Sequence, residues 1–177
     1  MLRMKTPRER IMLVILIIML CVGCDQLTKE IAKSHLPRTK ALSVAGDALR
    51  LDYTENRGAV LSFEYCLPER WRGSVLTTAV AVGLGLLLIF LMLTSVLRPS
   101  LVVGVALICG GSLSNLLDRV AFGGYVVDFL SLGWGGFRTA IFNVADAAIT
   151  MGTVLFLSGI LWNLRPSACK RPIPPLL

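Results

Sequence analysis

The chain is built from long apolar runs separated by shorter polar stretches, and the runs predict most of its architecture. Residues 11–23 form thirteen positions without a charge, short of the roughly 20 needed to cross a bilayer core. A helix started there can continue through Asp25-Gln-Leu-Thr-Lys29 toward Lys33, which gives a first span over about residues 11–33 with Asp25 near the far surface. From Leu49 the period changes. Leu49, Leu51 and Tyr53 alternate with Arg50, Asp52 and Thr54, which is strand spacing. Glu55-Asn-Arg-Gly58 supplies a turn and residues 59–63 a return strand, so a small β element is expected over about 45–65. Its open edges must lie outside the hydrocarbon or against protein. Residues 74–97 read as a second span, Pro99 punctuates it, and residues 101–118 form a third. A loop rich in glycine (Gly123, Gly124, Gly133, Gly135, Gly136) follows and carries Asp128. A fourth span is expected over about 139–164, then a Pro-rich, disordered tail over 166–177.

This pattern predicts an all-α polytopic membrane protein, one domain over 1–177, with four transmembrane helices and a small extracytoplasmic β-sheet element. Composition agrees: of 177 residues 55% are hydrophobic, and the mean hydropathy is +0.72, too apolar for a soluble domain. Lys and Arg outnumber Asp and Glu by 18 to 11. No basic-aromatic cluster accompanies the excess, so no nucleic-acid partner is expected. The basic residues instead crowd the start (Arg3, Lys5, Arg8, Arg10), the turn at Arg98 and the end (Arg165, Lys170, Arg171). The positive-inside rule then puts both termini in the cytoplasm. The segment 25–72 also holds eight Lys or Arg, diluted by seven acids. Trp134 and Trp162 suit opposite membrane interfaces. The five cysteines (Cys21, Cys24, Cys66, Cys109, Cys169) have no metal-ligand spacing, and His35 is the one histidine. They read as small hydrophobes, and neither metal nor cofactor is expected. The basic start and Leu20-Cys-Val-Gly-Cys24 also look like a lipoprotein signal peptide, but the later apolar runs argue against a lipid-anchored soluble protein.

The candidate chemistry lies in acids set among apolar residues. An Asp at membrane depth costs about 2.5–3.5 kcal/mol and is rare without a task or a partner. Asp128 sits in Val126-Val-Asp-Phe and Asp146 in Asn143-Val-Ala-Asp-Ala. Two carboxyls brought together share one proton, and the pair can activate water while protonating a carbonyl. Asn115 and Asp118 share one helix face, as Asn143 and Asp146 would on another. Asp118 and Arg119 fit a structural ion pair tying the third helix to the loop of Asp128. Lys29 fits a snorkelling interfacial lysine, Asn56-Arg-Gly58 a plain hairpin turn, and Gly110, Gly111 and Ser114 close helix packing. On residues alone, hydrolase, proton-coupled transporter and structural membrane protein all stay open.

Read in order, Asp25-Gln-Leu-Thr-Lys29, Asn56-Arg-Gly-Ala59, Gly110-Gly-x-x-x-Asn115-x-x-Asp118-Arg119, Val126-Val-Asp128-Phe and Phe142-Asn143-Val-Ala-Asp146 resemble the boxes of the bacterial lipoprotein signal peptidase family, also called signal peptidase II. The resemblance implies a polytopic aspartyl endopeptidase of the cytoplasmic membrane; an active site near the extracytoplasmic face and a monomeric chain are expected beside it. It would act on lipid-modified prolipoproteins, cutting before the diacylglyceryl cysteine. It further implies Asp128 and Asp146 as the catalytic dyad. Asn56, Gly58, Asn115, Asp118, Arg119, Asn143 and Ala145 would shape the site, with Asp25 and Lys29 holding the first helix against it. Ser114 stands where the family usually has Gly, and Val60 where it has a smaller residue.

Overall fold

The computed structural model describes residues 7–57, 69–93, 99–134 and 136–164. Four helices and four strands are present among them. Helix α1 (Pro7–His35) runs through the polar segment after Gly23 without a break. Helices α2 (Glu69–Leu93), α3 (Pro99–Ala121) and α4 (Val144–Leu164) follow. At 1.5 Å per residue, α3 is about 35 Å long, enough for a hydrocarbon core of about 30 Å. Helices α1, α3 and α4 are each long and apolar enough to cross a membrane; α2 contributes a shorter apolar stretch, Thr77–Phe90.

Helix α3 is the centre of the bundle and packs against α1, α2 and α4. Its Val102, Val105, Ala106 and Cys109 form the core with Val14 of α1 and Leu84 of α2. Much of the rest of α1 and α4 faces outward with apolar side chains, such as Met19, Leu20, Val154 and Leu161, the surface a lipid solvent requires. Small residues set the helix spacing. A Cβ on Gly104 would lie 2.8 Å from the Gly152 carbonyl oxygen of α4, and one on Gly110 2.7 Å from Cys21 Cβ of α1. A Cβ on Gly111 would overlap the Ala145 carbonyl oxygen. So α3 can be central only because glycine lets both neighbours approach its backbone.

The sheet departs most from the sequence expectation. Strands β1 (Leu42–Val44), β2 (Leu49–Asn56), β3 (Val126–Trp134) and β4 (Phe137–Arg138) form one antiparallel sheet in that order. The β element therefore extends well beyond 45–65, and the expected glycine-rich loop is largely a strand. Strand β2 pairs with β3, with Leu51 opposite Leu130 and Thr54 opposite Asp128. The return strand expected at 59–63 lies outside the described residues, as do Gly58 and Val60. The β1–β2 turn places Ala45 and Asp47 at φ of 53° and 72°. Asp47 holds that turn by accepting from Ser43 Oγ at 2.9 Å and Arg50 Nε at 2.6 Å. Helix α4 begins at Val144, not at 139, because the backbone of Phe142 pairs with Leu130 of β3 and extends the sheet up to the helix cap.

Candidate active site

The ends of α1 and α3 meet the start of α4 through polar side chains excluded from water. Lys29 is 1% exposed and Asp25 0%. The Lys29 Nζ donates to Asp25 Oδ2 at 2.6 Å, Asp118 Oδ2 at 2.8 Å and Asn115 Oδ1 at 2.9 Å. All three ammonium hydrogens are used, so the snorkelling reading of Lys29 fails. Asp25 also accepts from Ser114 Oγ at 2.7 Å and from the Ala145 backbone N–H at 2.8 Å. One carboxylate thus links three helices. The hydroxyl of Ser114 gives Asp25 a partner that a glycine there would lack.

The expected Asp118–Arg119 ion pair is not formed. Neighbouring residues on a helix point about 100° apart, and Asp118 turns inward to Lys29. Its other oxygen accepts from Gln26 Nε2 at 2.7 Å, and Oδ2 also receives the Val127 N–H at 3.3 Å. Asp118 does join α3 to the strand of Asp128, in partnership with Lys29 and not Arg119. Arg119 donates from Nη1 to the Asn115 carbonyl at 3.3 Å, and its guanidinium interacts electrostatically with Asp146, Asp128 and Asp118.

Asn143 is the residue just before α4, not a helical residue sharing a face with Asp146. Its Oδ1 accepts the Asp146 N–H at 2.9 Å, while Asp146 Oδ2 accepts the Asn143 N–H at 3.2 Å. This reciprocal pair is a capping box. Ala145 N–H donates to Asp25, so two of the first free amides of α4 are satisfied by side chains. From the cap, Asn143 Nδ2 reaches Asp128 Oδ1 at 2.7 Å and Asn115 Oδ1 at 3.1 Å. Asn56, at the end of β2, donates to Asp128 Oδ2 at 2.9 Å, and Asn115 Nδ2 to Asp146 Oδ1 at 2.9 Å.

The four acids therefore sort into two kinds. Asp25 and Asp118 are fully buried and share the Lys29 charge. Asp128 and Asp146 accept only neutral amide donors among these contacts, and Asp146 is partly exposed. Asp128 is buried in β3, and burial pushes its carboxyl up to about 6. Amide donation from Asn56 and Asn143 and the charge of Lys29 oppose the rise, while the nearby Asp146 charge adds to it. A carboxyl near 6 can hold or release a proton close to neutrality, as acid–base work requires.

The structure brings Asp25, Lys29, Asn56, Asn115, Asp118, Arg119, Asp128, Asn143, Ala145 and Asp146 to one end of the bundle. Ala145 participates through its backbone N–H and by its fit against Gly111. The position of Gly58 lies outside the described residues. Sequence reasoning gave no part to Gln26, whose amide donates to Asp118 and to Ser114 Oγ at 3.0 Å. Its place beside Asp25 in the first polar turn after an apolar run was the available signal.

Apolar helices that carry paired carboxyls at one end outline a membrane-embedded acid–base hydrolase. The chain belongs to the signal peptidase II family: the family model, described as Signal peptidase (SPase) II, matches residues 17–162. It is 39% identical over 158 residues to a lipoprotein signal peptidase of Syntrophotalea carbinolica, covering 87% of this chain and 92% of that one. A lipoprotein signal peptidase of Syntrophus aciditrophicus is 36% identical over 133 residues, covering 75% and 81%. Among solved structures, a bacterial membrane enzyme determined by the in meso method at 1.9 Å resolution superposes with a TM-score of 0.73 at 28% identity, covering 84% of this chain and 92% of that chain. A second, at 2.3 Å, gives 0.70 at 26% identity, covering 93% and 94%. The chain is thus a membrane peptidase, and the transporter alternative finds no support.

Proposed function

We propose that this peptidase removes signal peptides from prolipoproteins with Asp128 and Asp146 as its catalytic pair, cutting before the lipid-modified cysteine. The observation that carries the assignment is the sorting of the acids. Lys29 is ion-paired with both Asp25 and Asp118, whereas Asp128 and Asp146 are held by Asn56, Asn115 and Asn143 with no direct ion pair to a cation among the described residues. Two such carboxyls share one proton. The ionised one takes a proton from water as its oxygen attacks the scissile carbonyl carbon. The protonated one donates to the carbonyl oxygen. The tetrahedral intermediate then collapses: the C–N bond breaks, the leaving amine takes the proton that the first carboxylate had drawn from water, and the second carboxylate recovers its proton from the intermediate's hydroxyl. The amides fix the orientation of both carboxyls throughout.

The same reading gives a four-span protein. The far end of α1, the end of α3 and the start of α4 meet at the site, so α2 returns the chain to the opposite side. Both termini then lie on the cytoplasmic side, together with the basic groups of the start, the Arg98 turn and the end, and the site lies near the extracytoplasmic face of the bacterial cytoplasmic membrane. The substrate's signal peptide is itself an apolar helix anchored by its lipid. It can reach Asp146, at the membrane end of α4, without leaving the bilayer. We read the chain as a monomer. The test is cleavage of a diacylglyceryl-modified prolipoprotein by purified protein beside Asp128→Asn and Asp146→Asn. Loss in both variants is expected, and a wild-type rate in either overturns the dyad.

A further inference from the structure

The pairing register gives the sheet two unlike faces. Leu42 faces Leu51, Val44 faces Leu49, Leu49 faces Leu132, and Trp134 faces Phe137. Directly opposed residues share a face, and so do alternate residues along a strand. Asp128, Leu130, Leu132 and Trp134 thus lie on the same face as those leucines. The other face carries Ser43, Arg50, Ser131 and Arg138, by the register Ser43 with Arg50, Arg50 with Ser131 and Gly133 with Arg138. Asp47 lies between the two arginines there, accepting from Arg50 Nε at 2.6 Å and from Arg138 Nη2 at 2.8 Å.

The apolar face is open over its outer half. Leu42, Val44 and Leu132 are 41–49% exposed, and the tip residues Trp134 and Phe137 are 90% and 87% exposed. A sheet ordinarily buries its apolar face. We propose that this face is a membrane-docking surface, seated in the interfacial layer of the leaflet, and that it fixes the depth at which Asp128 sits.

Three observations point to lipid as the occupant. First, the sheet is fastened directly to membrane helices. Four residues separate α3 from β3 and five separate β4 from α4, while Asp118 of α3 binds the backbone of Val127. A connection of five residues reaches at most about 18 Å, so the sheet stays tethered close to the ends of the membrane helices. Second, the outer half of the face carries no charge, and its most exposed members are a Trp and a Phe. Indole in particular is favoured at the headgroup level. Third, in this outer half the charged groups, Asp47, Arg50 and Arg138, lie on the opposite face, which is the division an interfacial element shows. The inference rests on the membrane crossing of α3 and α4 and not on the catalytic assignment of Asp128, so the two can fail separately.

The test uses the full chain with Trp71→Phe and Trp162→Phe, leaving Trp134 as the single indole. It is placed one chain per nanodisc in phosphatidylcholine and phosphatidylglycerol. Docking predicts blue-shifted Trp134 emission and about a twofold quenching by lipids brominated high on their acyl chains, the response of an interfacial indole. Emission of a water-exposed indole, quenched by acrylamide and untouched by bromolipid, overturns the proposal. So does a blue shift seen only in discs holding two chains, which would assign the face to a second copy. If the double variant fails to fold, the wild-type chain labelled with 5-fluorotryptophan gives the same reading. Its Trp134 fluorine resonance, assigned by Trp134→Phe, should broaden with a lipid-borne nitroxide and not with a water-soluble one; the reverse overturns the proposal.

Discussion

Replacing Lys29 by Met removes the one cation that Asp25 and Asp118 share. The methionine fills similar volume and leaves two carboxylates, both at or below 1% exposure, without a directly ion-paired cation among the described residues. Breaking a buried ion pair from one side costs about 3–5 kcal/mol, mostly because a charge is left stranded. Here the remaining hydrogen bonds soften the loss: Asp25 keeps Ser114 and Ala145, and Asp118 keeps Gln26 and Val127. The stranding, however, is double. The expected destabilisation is therefore still about 3–5 kcal/mol, roughly a hundred- to several-thousand-fold in the folding equilibrium. Reversible unfolding in mixed micelles, followed by tryptophan fluorescence, reads it. The triple variant Lys29→Met, Asp25→Asn, Asp118→Asn removes the stranded charges and should recover about half of the loss. A loss below about 1 kcal/mol for Lys29→Met, as for an exposed lysine, refutes the reasoning. So does a triple variant no more stable than the single one.

Asn56→Ala removes the N–H that favours ionised Asp128, so the alkaline limb of the kcat/KM profile should move to higher pH; an unmoved or lowered limb contradicts the assignment. Folded Asp128 titrates near 6 against an ordinary value of 3.8, so the folded chain keeps a proton that the unfolded chain releases. The resulting stability is full below 3.8 and is lost as pH rises through about 6. Asp128→Asn should flatten that slope in unfolding free energies measured across the interval. Gly111→Val should cost about 1–3 kcal/mol as an overpacked site, since its Cβ meets the Ala145 carbonyl, and should lower cleavage by moving Asp146. Gly83→Ala, with nothing within 4 Å of the added Cβ, should leave stability unchanged or slightly raised in the same unfolding measurement. Asn143→Ala should cost about 1 kcal/mol from the lost cap and should reduce cleavage by more than that stability loss explains.

The helices were legible because the apolar runs are long, and the acids of the candidate site stood out because carboxyls in such runs are costly without a partner or a task. The membership of β3 in a sheet was not. Glycines on both sides of Val126–Trp134 signal a loop, and the strand's partner is distant: Asn56 and Asp128 are 72 positions apart. Local periodicity carries no information about pairing at that range. The error at Asn143 was different, because Asn143-x-x-Asp146 before an apolar run is a cap signature visible in the sequence. The expected pairing of Asp118 with Arg119 failed for a geometric reason, since adjacent helical side chains diverge and the buried amine of Lys29 lies on the inner face. That amine comes from another helix, 89 positions earlier in the chain, and no pattern around Asp118 announces it.

The most direct measurement of the central claim is cleavage of a diacylglyceryl-modified prolipoprotein by purified wild type, Asp128→Asn, Asp146→Asn and Asp118→Asn in parallel, each verified as folded. The account predicts cleavage before the lipidated cysteine by wild type and none by Asp128→Asn or Asp146→Asn. Asp118→Asn should keep activity in proportion to its folded fraction. An inactive, fully folded Asp118→Asn beside an active Asp128→Asn would place the chemistry on the other pair of acids.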